Sequence, residues 1–382
     1  MTKKQKKIRI LFFSPYFYPY ISGITTYPFE LFTHLGNDYD VTVLTFKHDK
    51  QISSEEQIHN IHVVRMPYLC RVTKGFIAPQ SPMYFYKYVR KTDVVILNMP
   101  NVEGLPLALL ANWFKKPSIA LFHCLVFLPV SFFNMLVSGV LFVSMYLQYA
   151  LVDTIVGYTQ DYVQHTWVGK WFGKKVNITF PPVPSLVPDT AFLKKLRAEK
   201  KGGYWVGFAG RIAREKGIEH IVEAVSRMKK RNVCLVFAGP YGKDVAGEEP
   251  YYHKIKMVLE EKEVNHIFLG SLNKKRLTAF YQTIDVLLLT SVNSTEAFGM
   301  VQVEAMLAGK PVIASNLPGV RVPVKKTGLG MIVEPGDVNA LSEAIDRMRS
   351  SPPKATAKPV DVFSLKRVLD FWRRLIKGAV RV

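Results

Sequence analysis

Two glutamates eight residues apart, Glu296 and Glu304, form the strongest chemical pattern in the sequence. They follow a short apolar run that ends at Thr290, and they lie in a segment that reads as a helix ending near Gly309. Residues 299–301 would begin this helix, where unpaired backbone N–H groups and the helix dipole favour a phosphate. Glu296 would precede the helix and Glu304 would lie inside it. The two carboxylates would therefore contact different parts of one ligand, such as hydroxyl-rich sugar and ribose rings.

Each glutamate alone has an ordinary structural explanation. Glu296 could simply be an acid that precedes a helix, and Glu304 could be a buried and paired carboxylate. The two together are harder to explain in this way, because Glu304 lies among Val303, Met306 and Leu307 on a helix that reads as buried, where an unpaired charge is costly. The joint pattern therefore favours a ligand site.

A second pattern places two cations in one loop. Gly210-Arg211 and Lys216-Gly217 follow the apolar strand predicted at residues 204–209. Arginine offers a planar fork of donors and lysine a compact charge, and together they can neutralise a pyrophosphate. A solvated basic loop is the alternative for so short a motif. The loop, however, follows a strand at the carboxyl edge of a predicted parallel sheet, where open α/β sheets bind ligands.

Short apolar, β-branched runs alternate with longer helical stretches, which is typical of a parallel sheet covered by helices. The first series of predicted strands comprises residues 8–13, 39–46, 62–66, 94–98, 118–123 and 154–158. The second series comprises residues 204–209, 233–239, 266–269, 286–290, 311–315 and 330–333. Between the two series, residues 180–188 contain four prolines, which disfavour both a helix and a central strand. We therefore expect two Rossmann-like domains, residues 1–182 and 183–360, and a C-terminal helix at 361–382 that packs back on the first domain.

The two chemical patterns resemble glycosyltransferase family 4, a retaining family with the GT-B fold, and the resemblance extends over nearly the whole chain. The family's paired glutamates are matched by Glu296 and Glu304, and its G-R-x-x-x-x-K-G motif by residues 210–217. The resemblance implies an α/β architecture in which two Rossmann-like domains turn parallel sheets towards a central cleft. It also implies that Glu296 binds the transferred sugar, that Glu304 binds the nucleotide ribose, and that Arg211 and Lys216 bind the diphosphate.

The resemblance adds two positions in the first domain. Gly23 lies in a segment similar to the family's glycine-rich opening loop, in which Ser22 replaces one of the two usual glycines. His123, at the end of a predicted strand, matches the family's histidine at the catalytic face, although a lone histidine at a strand end is more often structural. The expected catalytic residues are His123, Glu296, Arg211 and Lys216. The expected donor-binding residues are Gly23, Gly210, Arg211, Lys216, Glu296, Phe298, Gly299, Met300, Val301 and Glu304. Neither a metal nor a cofactor beyond the donor itself is implied.

The positive net charge of the chain indicates an anionic partner. Lysine and arginine number 51 against 30 aspartates and glutamates, which gives a net charge of +21. Nucleic acid, phosphate ligands and anionic lipid all satisfy this excess. The three cysteines are scattered and form no C-x-x-C pair, so they indicate neither a disulfide framework nor a zinc site, and a reducing compartment fits best.

Residues 117–152 contain no aspartate, glutamate, lysine or arginine, and the stretch is long enough to cross a bilayer. A single crossing would separate His123 from Arg211, which are expected to serve one site, and two crossings need about 40 residues plus a turn. We therefore expect a pair of apolar helices that dip into one leaflet and bend near Pro129 or Gly139. The alternative is that the stretch belongs to the core of the first domain.

The sequence thus predicts transfer of a hexosyl group from a nucleotide diphosphate sugar to a lipid-linked or membrane-proximal acceptor, in polysaccharide or glycolipid biosynthesis. Lysine-rich ends and the uncharged stretch predict a peripheral or monotopic protein on the anionic inner, cytoplasmic face of a membrane. Other GT-B activities, a nucleotide-sugar epimerase or a sugar phosphorylase, remain alternatives. A basic nucleic-acid-binding protein is the non-enzymatic alternative, but no helix-turn-helix, zinc-finger or aromatic RNA-binding signature favours it.

Overall fold

The computed structural model describes residues 7–127, 131–183, 186–228, 232–245 and 247–381. The chain folds into two compact units. Met1–Pro182 and Leu365–Val382 form the first unit, and Val183–Ser364 forms the second.

The first unit is built on an eight-stranded sheet. Its elements in chain order are β1 (Arg9–Phe13), α1 (Gly23–Leu35), β2 (Asp40–Phe46), β3 (Glu55–Ile58), β4 (Ile61–Met66), β5 (Cys70–Val72), β6 (Gly75–Ile77), α2 (Ser81–Val89), β7 (Val94–Met99), α3 (Leu105–Trp113), β8 (Ser118–Phe122), α4 (Phe132–Leu151), β9 (Thr154–Gly157), α5 (Gln160–Gln164), α6 (Trp167–Phe172) and β10 (Val176–Ile178). The strand order is β10-β9-β8-β7-β1-β2-β4-β3, and only β3 pairs antiparallel within this sheet. Strands β5 and β6 form a separate hairpin.

The second unit contains a six-stranded, all-parallel sheet. Its elements are α7 (Thr190–Lys200), β11 (Tyr204–Ala209), α8 (Ile218–Ser226), β12 (Val233–Ala238), α9 (Glu249–Glu261), β13 (His266–Gly270), α10 (Lys274–Thr283), β14 (Val286–Leu289), α11 (Met300–Leu307), β15 (Val312–Ser315), α12 (Val322–Thr327), β16 (Gly330–Val333), α13 (Val338–Ser350) and α14 (Pro359–Val362). The strand order is β13-β12-β11-β14-β15-β16. The strands that follow β11 in sequence, β12 and β13, therefore lie on one side of it, and β14, β15 and β16 lie on the other. The gap between β11 and β14 is therefore the topological switch point, where open sheets of this type bind ligands.

The predicted α/β class and both series of strands are confirmed, with ends that differ by one or two residues. The buried apolar runs identified them because a parallel strand is covered on both faces. Four short strands were not predicted: β3, β5, β6 and β10. All four are short: β3 and β10 are the edge strands of the first sheet, and β5 and β6 form the hairpin, so none carries a long apolar run.

The last helix, α15 (Leu365–Arg381), belongs to the first unit, where it contacts α1 and β7. Trp372 is fully buried there, and its indole N–H donates to the Tyr27 hydroxyl at 3.0 Å. At the edge of this contact, the Arg373 guanidinium donates to the Asp38 carboxylate at 2.9 Å. The apolar face and one ion pair together fix the helix against the unit.

After β8, the described part of the uncharged stretch forms one long helix, so the expected pair of helices is wrong. Helix α4 continues through Gly139, and Pro129 lies outside the described residues. A single glycine costs a helix only about 1 kcal/mol, which twenty residues readily absorb. Within the described part of the chain, α4 is the one helix long and apolar enough to cross a membrane, with a mean hydropathy of 1.4.

Helix α4 is not a core helix, because only 22% of its most apolar window is buried. Its C-terminal half packs on the unit: the Ser144 hydroxyl donates to the Val102 carbonyl at 2.8 Å, and the Gln148 amide donates to the Asn101 carbonyl at 2.9 Å. Its N-terminal half exposes large apolar side chains over one broad face, whereas Asn134, Val137, Ser138 and Leu141 on the other face are half-buried. The exposed side chains are Phe132, Phe133, Met135, Leu136, Val140, Phe142 and Val143.

A polar network closes the carboxyl edge of the first sheet around His123, which follows β8. The imidazole is 2% exposed and has Tyr158 at Nδ1 and Asn98 at Nε2. The Asn98 amide donates to the Ser14 hydroxyl at 2.9 Å and to the Ile24 carbonyl at 3.0 Å, so its oxygen faces His123 as an acceptor. Nε2 therefore carries the proton, and Nδ1 accepts from the Tyr158 hydroxyl. Burial lowers the pKa of His123 to about 3, so the ring is neutral at physiological pH.

This burial predicts an acid sensitivity. The unfolded chain protonates His123 near pH 6.5 and the folded chain only near pH 3, so the unfolded state binds more protons between these values. Stability should therefore fall as the pH drops below about 6.5, by up to about 1.4 kcal/mol per pH unit from this residue. Urea unfolding at pH 7.5, 6.5 and 5.5 measures the slope, which should be shallower in His123→Gln. His253→Gln, at an exposed histidine of α9, is the control; equal slopes in all three proteins would contradict the assignment.

Candidate functional site

Two loops meet at the switch point of the second sheet, one after β11 and one after β14. They are joined by backbone contacts: the Val292 N–H donates to the Glu215 carbonyl at 3.0 Å. The Thr290 hydroxyl likewise donates to the Lys216 carbonyl at 2.9 Å. The cationic loop and the loop that carries Glu296 are thus held side by side.

An ion pair links the two loops. The Lys216 ammonium lies 2.6 Å from the Glu296 carboxylate, and the Ser291 hydroxyl lies 3.4 Å from the same oxygen. The two charged side chains are only 19% and 17% exposed, so they are largely removed from water. Such a pair is held in place but can exchange partners, because a ligand anion can approach the lysine while a ligand hydroxyl donates to the carboxylate.

Arg211 is placed differently, since its side chain is 47% exposed. One guanidinium N–H group donates to the Glu215 carboxylate at 2.7 Å, which orients the side chain from the same loop. A guanidinium has five N–H donors, so an oriented and exposed arginine can also bind an anion through two of them.

Glycines allow the backbone to approach closely at this sheet edge. Gly210 and Gly239, which follow β11 and β12, both have φ of 146°. A Cβ atom on Gly239 would lie 2.0 Å from the Gly210 carbonyl oxygen, so a side chain cannot be accommodated there. Gly217 has φ of 61°, and a Cβ atom would lie 2.7 Å from the Thr290 carbonyl oxygen. The loop after β11 therefore depends on glycine at both of its ends.

Helix α11 begins beside the ion pair, as expected. Gly299 precedes it with φ of 74°, and a Cβ atom there would lie 2.2 Å from a Leu289 methyl carbon. The fully buried Gln302 amide donates to the Phe298 carbonyl at 2.5 Å and to the Val320 carbonyl at 2.9 Å, which anchors the first turn. The first N–H groups of a helix have no intrahelical partner, so those of Met300 and Val301 can bind an anion.

Glu304 lies one turn further along α11 and is half-buried. Tyr281 of α10, whose hydroxyl donates to the Glu304 carboxylate at 2.7 Å, holds it in position. Burial and the neighbouring carboxylate raise the pKa of Tyr281 well above its usual value, so the hydroxyl stays protonated and remains a donor. Sequence analysis missed Tyr281 and Gln302, because their partners lie in other elements and no local pattern marks them.

The remaining predicted residues lie in the first unit. Gly23 is the first residue of α1, and the preceding Ser22 N–H donates to the Thr25 hydroxyl at 2.9 Å. His123 is connected to this helix start through Asn98, which bonds both the imidazole and the Ile24 carbonyl. The structure therefore gathers Arg211, Lys216, Glu296 and the start of α11 in the second unit, and it joins Gly23 and His123 by one network in the first.

Comparison with known proteins agrees with this division. Residues 189–358, all in the second unit, match the family described as "Glycosyl transferases group 1". The 2-deoxystreptamine glucosyltransferase of Streptomyces kanamyceticus is 32% identical over 167 residues, 43% of this chain and 41% of that protein. The D-inositol 3-phosphate glycosyltransferase of Corynebacterium urealyticum is 28% identical over 159 residues, 40% of this chain and 36% of that protein. The matched regions thus span about two fifths of these relatives.

Solved structures match over the whole chain. HepE (Alr3699) of Anabaena, crystallised in complex with UDP and glucose, has a TM-score of 0.77 at 17% identity and covers 97% of this chain and 99% of its own. Sucrose-phosphate synthase of Thermosynechococcus elongatus has a TM-score of 0.70 at 18% identity and covers 98% of this chain and 96% of its own. The chain therefore has the GT-B fold, and residues 189–358 of its second unit match the glycosyl transferases group 1 family.

Proposed function

We propose that this protein transfers a hexosyl group from a nucleotide diphosphate sugar to a lipid-linked or membrane-proximal acceptor, with the retaining chemistry of glycosyltransferase family 4. The observation that carries the proposal is the meeting of Lys216 and Glu296 at the switch point of the second sheet, beside the start of α11. The cation and the unpaired N–H groups match the diphosphate of a nucleotide sugar, and the carboxylate matches the hydroxyls of its sugar.

Each group has a distinct role in this proposal. The α11 N-terminus and Lys216 bind the diphosphate, and Arg211 adds a second charge as the diphosphate leaves with its bonding electrons. Glu296 accepts hydrogen bonds from hydroxyls of the transferred sugar. Glu304, held by Tyr281, accepts hydrogen bonds from the ribose hydroxyls. Fixed dipoles and charges of this kind stabilise a transition state without having to reorganise.

In this proposal His123 positions neighbouring groups and does not transfer a proton. Its neutral imidazole already bonds Tyr158 and Asn98, and Asn98 in turn holds the start of α1 beside Gly23. A ring that resists protonation, with a pKa of about 3, cannot supply a proton near pH 7. It therefore fixes the geometry of the backbone at the start of α1.

Support for the donor class comes from the neighbours. The Anabaena HepE structure contains UDP and glucose, and the related curated proteins are named as glucosyl- or glycosyltransferases. Together with the site geometry, this favours a nucleotide sugar over the free sugar phosphate of a phosphorylase. Incubation with donor alone separates transfer from epimerisation, because an epimerase changes the sugar without an acceptor.

Support for a membrane-proximal acceptor comes from α4, whose N-terminal half exposes apolar side chains over one broad face. Large exposed apolar patches mark interaction surfaces, and an amphipathic helix in the plane of a membrane buries such a face in the leaflet. The lysine-rich residues 1–7 and the basic segment 351–382 add attraction to an anionic inner leaflet. We therefore place the protein on the cytoplasmic face as a peripheral or monotopic protein.

The roles of the two glutamates can be separated by binding and turnover. Glu304→Gln should weaken binding of UDP or GDP roughly tenfold, because it removes a charged acceptor of ribose hydroxyls. Glu296→Gln should chiefly lower turnover, because its partner is the sugar that the bare nucleotide lacks. Calorimetric titration with each nucleotide and initial rates measure the two effects. Glu343→Gln, at an exposed glutamate of α13, is the control. Equal losses of nucleotide binding in both variants would refute these roles.

Attachment through α4 predicts a salt-resistant association with membranes. The combined change of Phe132, Phe133 and Val140 to Glu should release the protein from membranes in 1 M salt, because charge is excluded from lipid whereas apolar burial is insensitive to ionic strength. Donor hydrolysis should persist, because the donor site lies in the second unit. Sedimentation with membranes measures the bound fraction.

A single-site comparison controls for added charge. Val140 and Met257 both lie on helices and are 59% and 62% exposed, so Val140→Glu and Met257→Glu differ mainly in location. Only Val140→Glu should lower the bound fraction. Unaltered sedimentation of the triple variant would exclude α4 as the anchor.

A further inference from the structure

A second apolar surface of the first unit lies between α2 and α3. A groove of about 650 Å³ separates the two helices on their outer side. Its walls are mostly apolar, and they are formed by Pro82, Tyr86, Pro106, Leu109, Leu110 and Trp113. Trp113, at the end of α3, is 81% exposed, which is unusual for so large an apolar side chain.

The groove is not a by-product of loose packing, because both helices have well-filled inner faces. Helix α2 buries Phe85 and Val89, and α3 buries Leu107, Ala108 and Ala111. The apolar residues of the groove are additional to this set. Tyr86 packs on Phe114 with ring centres 5.8 Å apart, whereas Leu109 and Trp113 are largely exposed.

Four cations lie at or just after the C-terminal ends of α2 and α3. Lys87, Arg90, Lys91 and Lys115 are all exposed, and none has a carboxylate within ion-pair distance in the part of the chain that is described. Neither α2 nor α3 contains an acidic residue. The Arg90 guanidinium lies 5.2 Å from the centre of the Tyr86 ring, so charge and apolar wall are in direct contact. The surface thus combines apolar walls with uncompensated positive charge.

Helix α4 adjoins this surface, because α3 contacts both α2 and α4. The exposed half of α4 and the cations lie towards opposite ends of these helices: Ser144 bonds the Val102 carbonyl just before α3, whereas Trp113 and Lys115 lie at and after the end of α3. A leaflet therefore contacts both when it lies along the outer side of the three helices. Tryptophan and lysine beside an apolar surface are typical of the interface between lipid headgroups and chains.

We propose that the groove between α2 and α3 binds an anionic phospholipid of the membrane surface, with the headgroup phosphate among the four cations and acyl carbon against the apolar walls. The proposal rests on the membrane attachment proposed above. Contacts of the membrane with α4 and with the groove would together fix the rotation of the first unit about α4. They would therefore also fix the direction in which the loops of the first unit face a lipid-linked acceptor.

The charge argues for lipid over a second copy of this chain. A symmetric dimer through this groove would bring two copies of the four cations into one interface, where neither α2 nor α3 offers an acidic residue, and unpaired like charges at an interface cost several kcal/mol. An anionic leaflet compensates all four at once. Each basic residue near such a surface gains attraction, which makes a cluster of four effective.

Co-sedimentation with vesicles tests the charge requirement. Combined replacement of Lys87, Arg90, Lys91 and Lys115 by Gln should lower affinity for vesicles of phosphatidylcholine with 30% phosphatidylglycerol roughly tenfold or more. Affinity for pure phosphatidylcholine vesicles should not change. The matched control replaces four exposed lysines of the second unit by Gln and alters net charge equally: Lys254, Lys256, Lys325 and Lys326. An equal loss in the control would overturn the proposal, because net charge alone would then explain binding.

Quenching by brominated phosphatidylglycerol tests the groove itself. The wild type should lose part of its tryptophan fluorescence on such vesicles, and Trp113→Phe should lack that quenched component while binding equally. Identical quenching in both proteins would overturn the proposal. A dimer in light scattering that Leu109→Glu dissociates, with vesicle binding unchanged, would also overturn it and assign the groove to a second copy.

These outcomes are separable from a failure of the proposed function. Binding of UDP or GDP reports the donor site, and binding of neutral vesicles reports α4. If both persist in the four-cation variant while binding of anionic vesicles is unchanged from the wild type, the groove proposal alone fails.

Discussion

The arrangement of the site depends on one topological constraint, the pairing of β14 on the side of β11 away from β12. The chain continues from β11 towards one edge of the sheet and from β14 towards the other edge. The loops after these two strands therefore diverge, and the gap between them is open to a ligand. Lys216 lies in this gap on one loop and Glu296 on the other. A hydrogen bond from the Val292 N–H to the Glu215 carbonyl holds the two loops together. Neither charged residue would be held in this place by its own loop alone.

The cost of burying polar groups shapes the surroundings of both units. In the first, His123 is buried as a neutral ring with partners on both nitrogens. In the second, Glu304 is half-buried beside a tyrosine hydroxyl that cannot ionise readily. A buried polar group is tolerated when it is hydrogen-bonded, and the same bonds fix its geometry. For His123 and Glu304, the contacts that offset burial are therefore also the contacts that position the side chain.

The outer surface of the first unit follows a different rule. Most of its apolar residues are buried, as in any folded domain, but α4, α2 and α3 present apolar side chains outwards in one continuous layer. Hydration of that layer is unfavourable in the isolated chain. An anionic leaflet, the partner we propose, supplies apolar cover and compensates the neighbouring cations at the same time. The same leaflet thus compensates part of the net charge of +21.

The sequence by itself determined the α/β class, both series of strands and the positions of Glu296, Glu304, Arg211 and Lys216, because buried parallel strands and short motifs are local patterns. It could not determine what these groups contact. The pairing of Lys216 with Glu296, the hydroxyl of Tyr281 at Glu304 and the burial of His123 join residues far apart in the chain. The single helix α4 was also decided by tertiary structure. The absence of charged residues shows only that the stretch is apolar, whereas the length and the exposure of the helix depend on how far the neighbouring elements cover it.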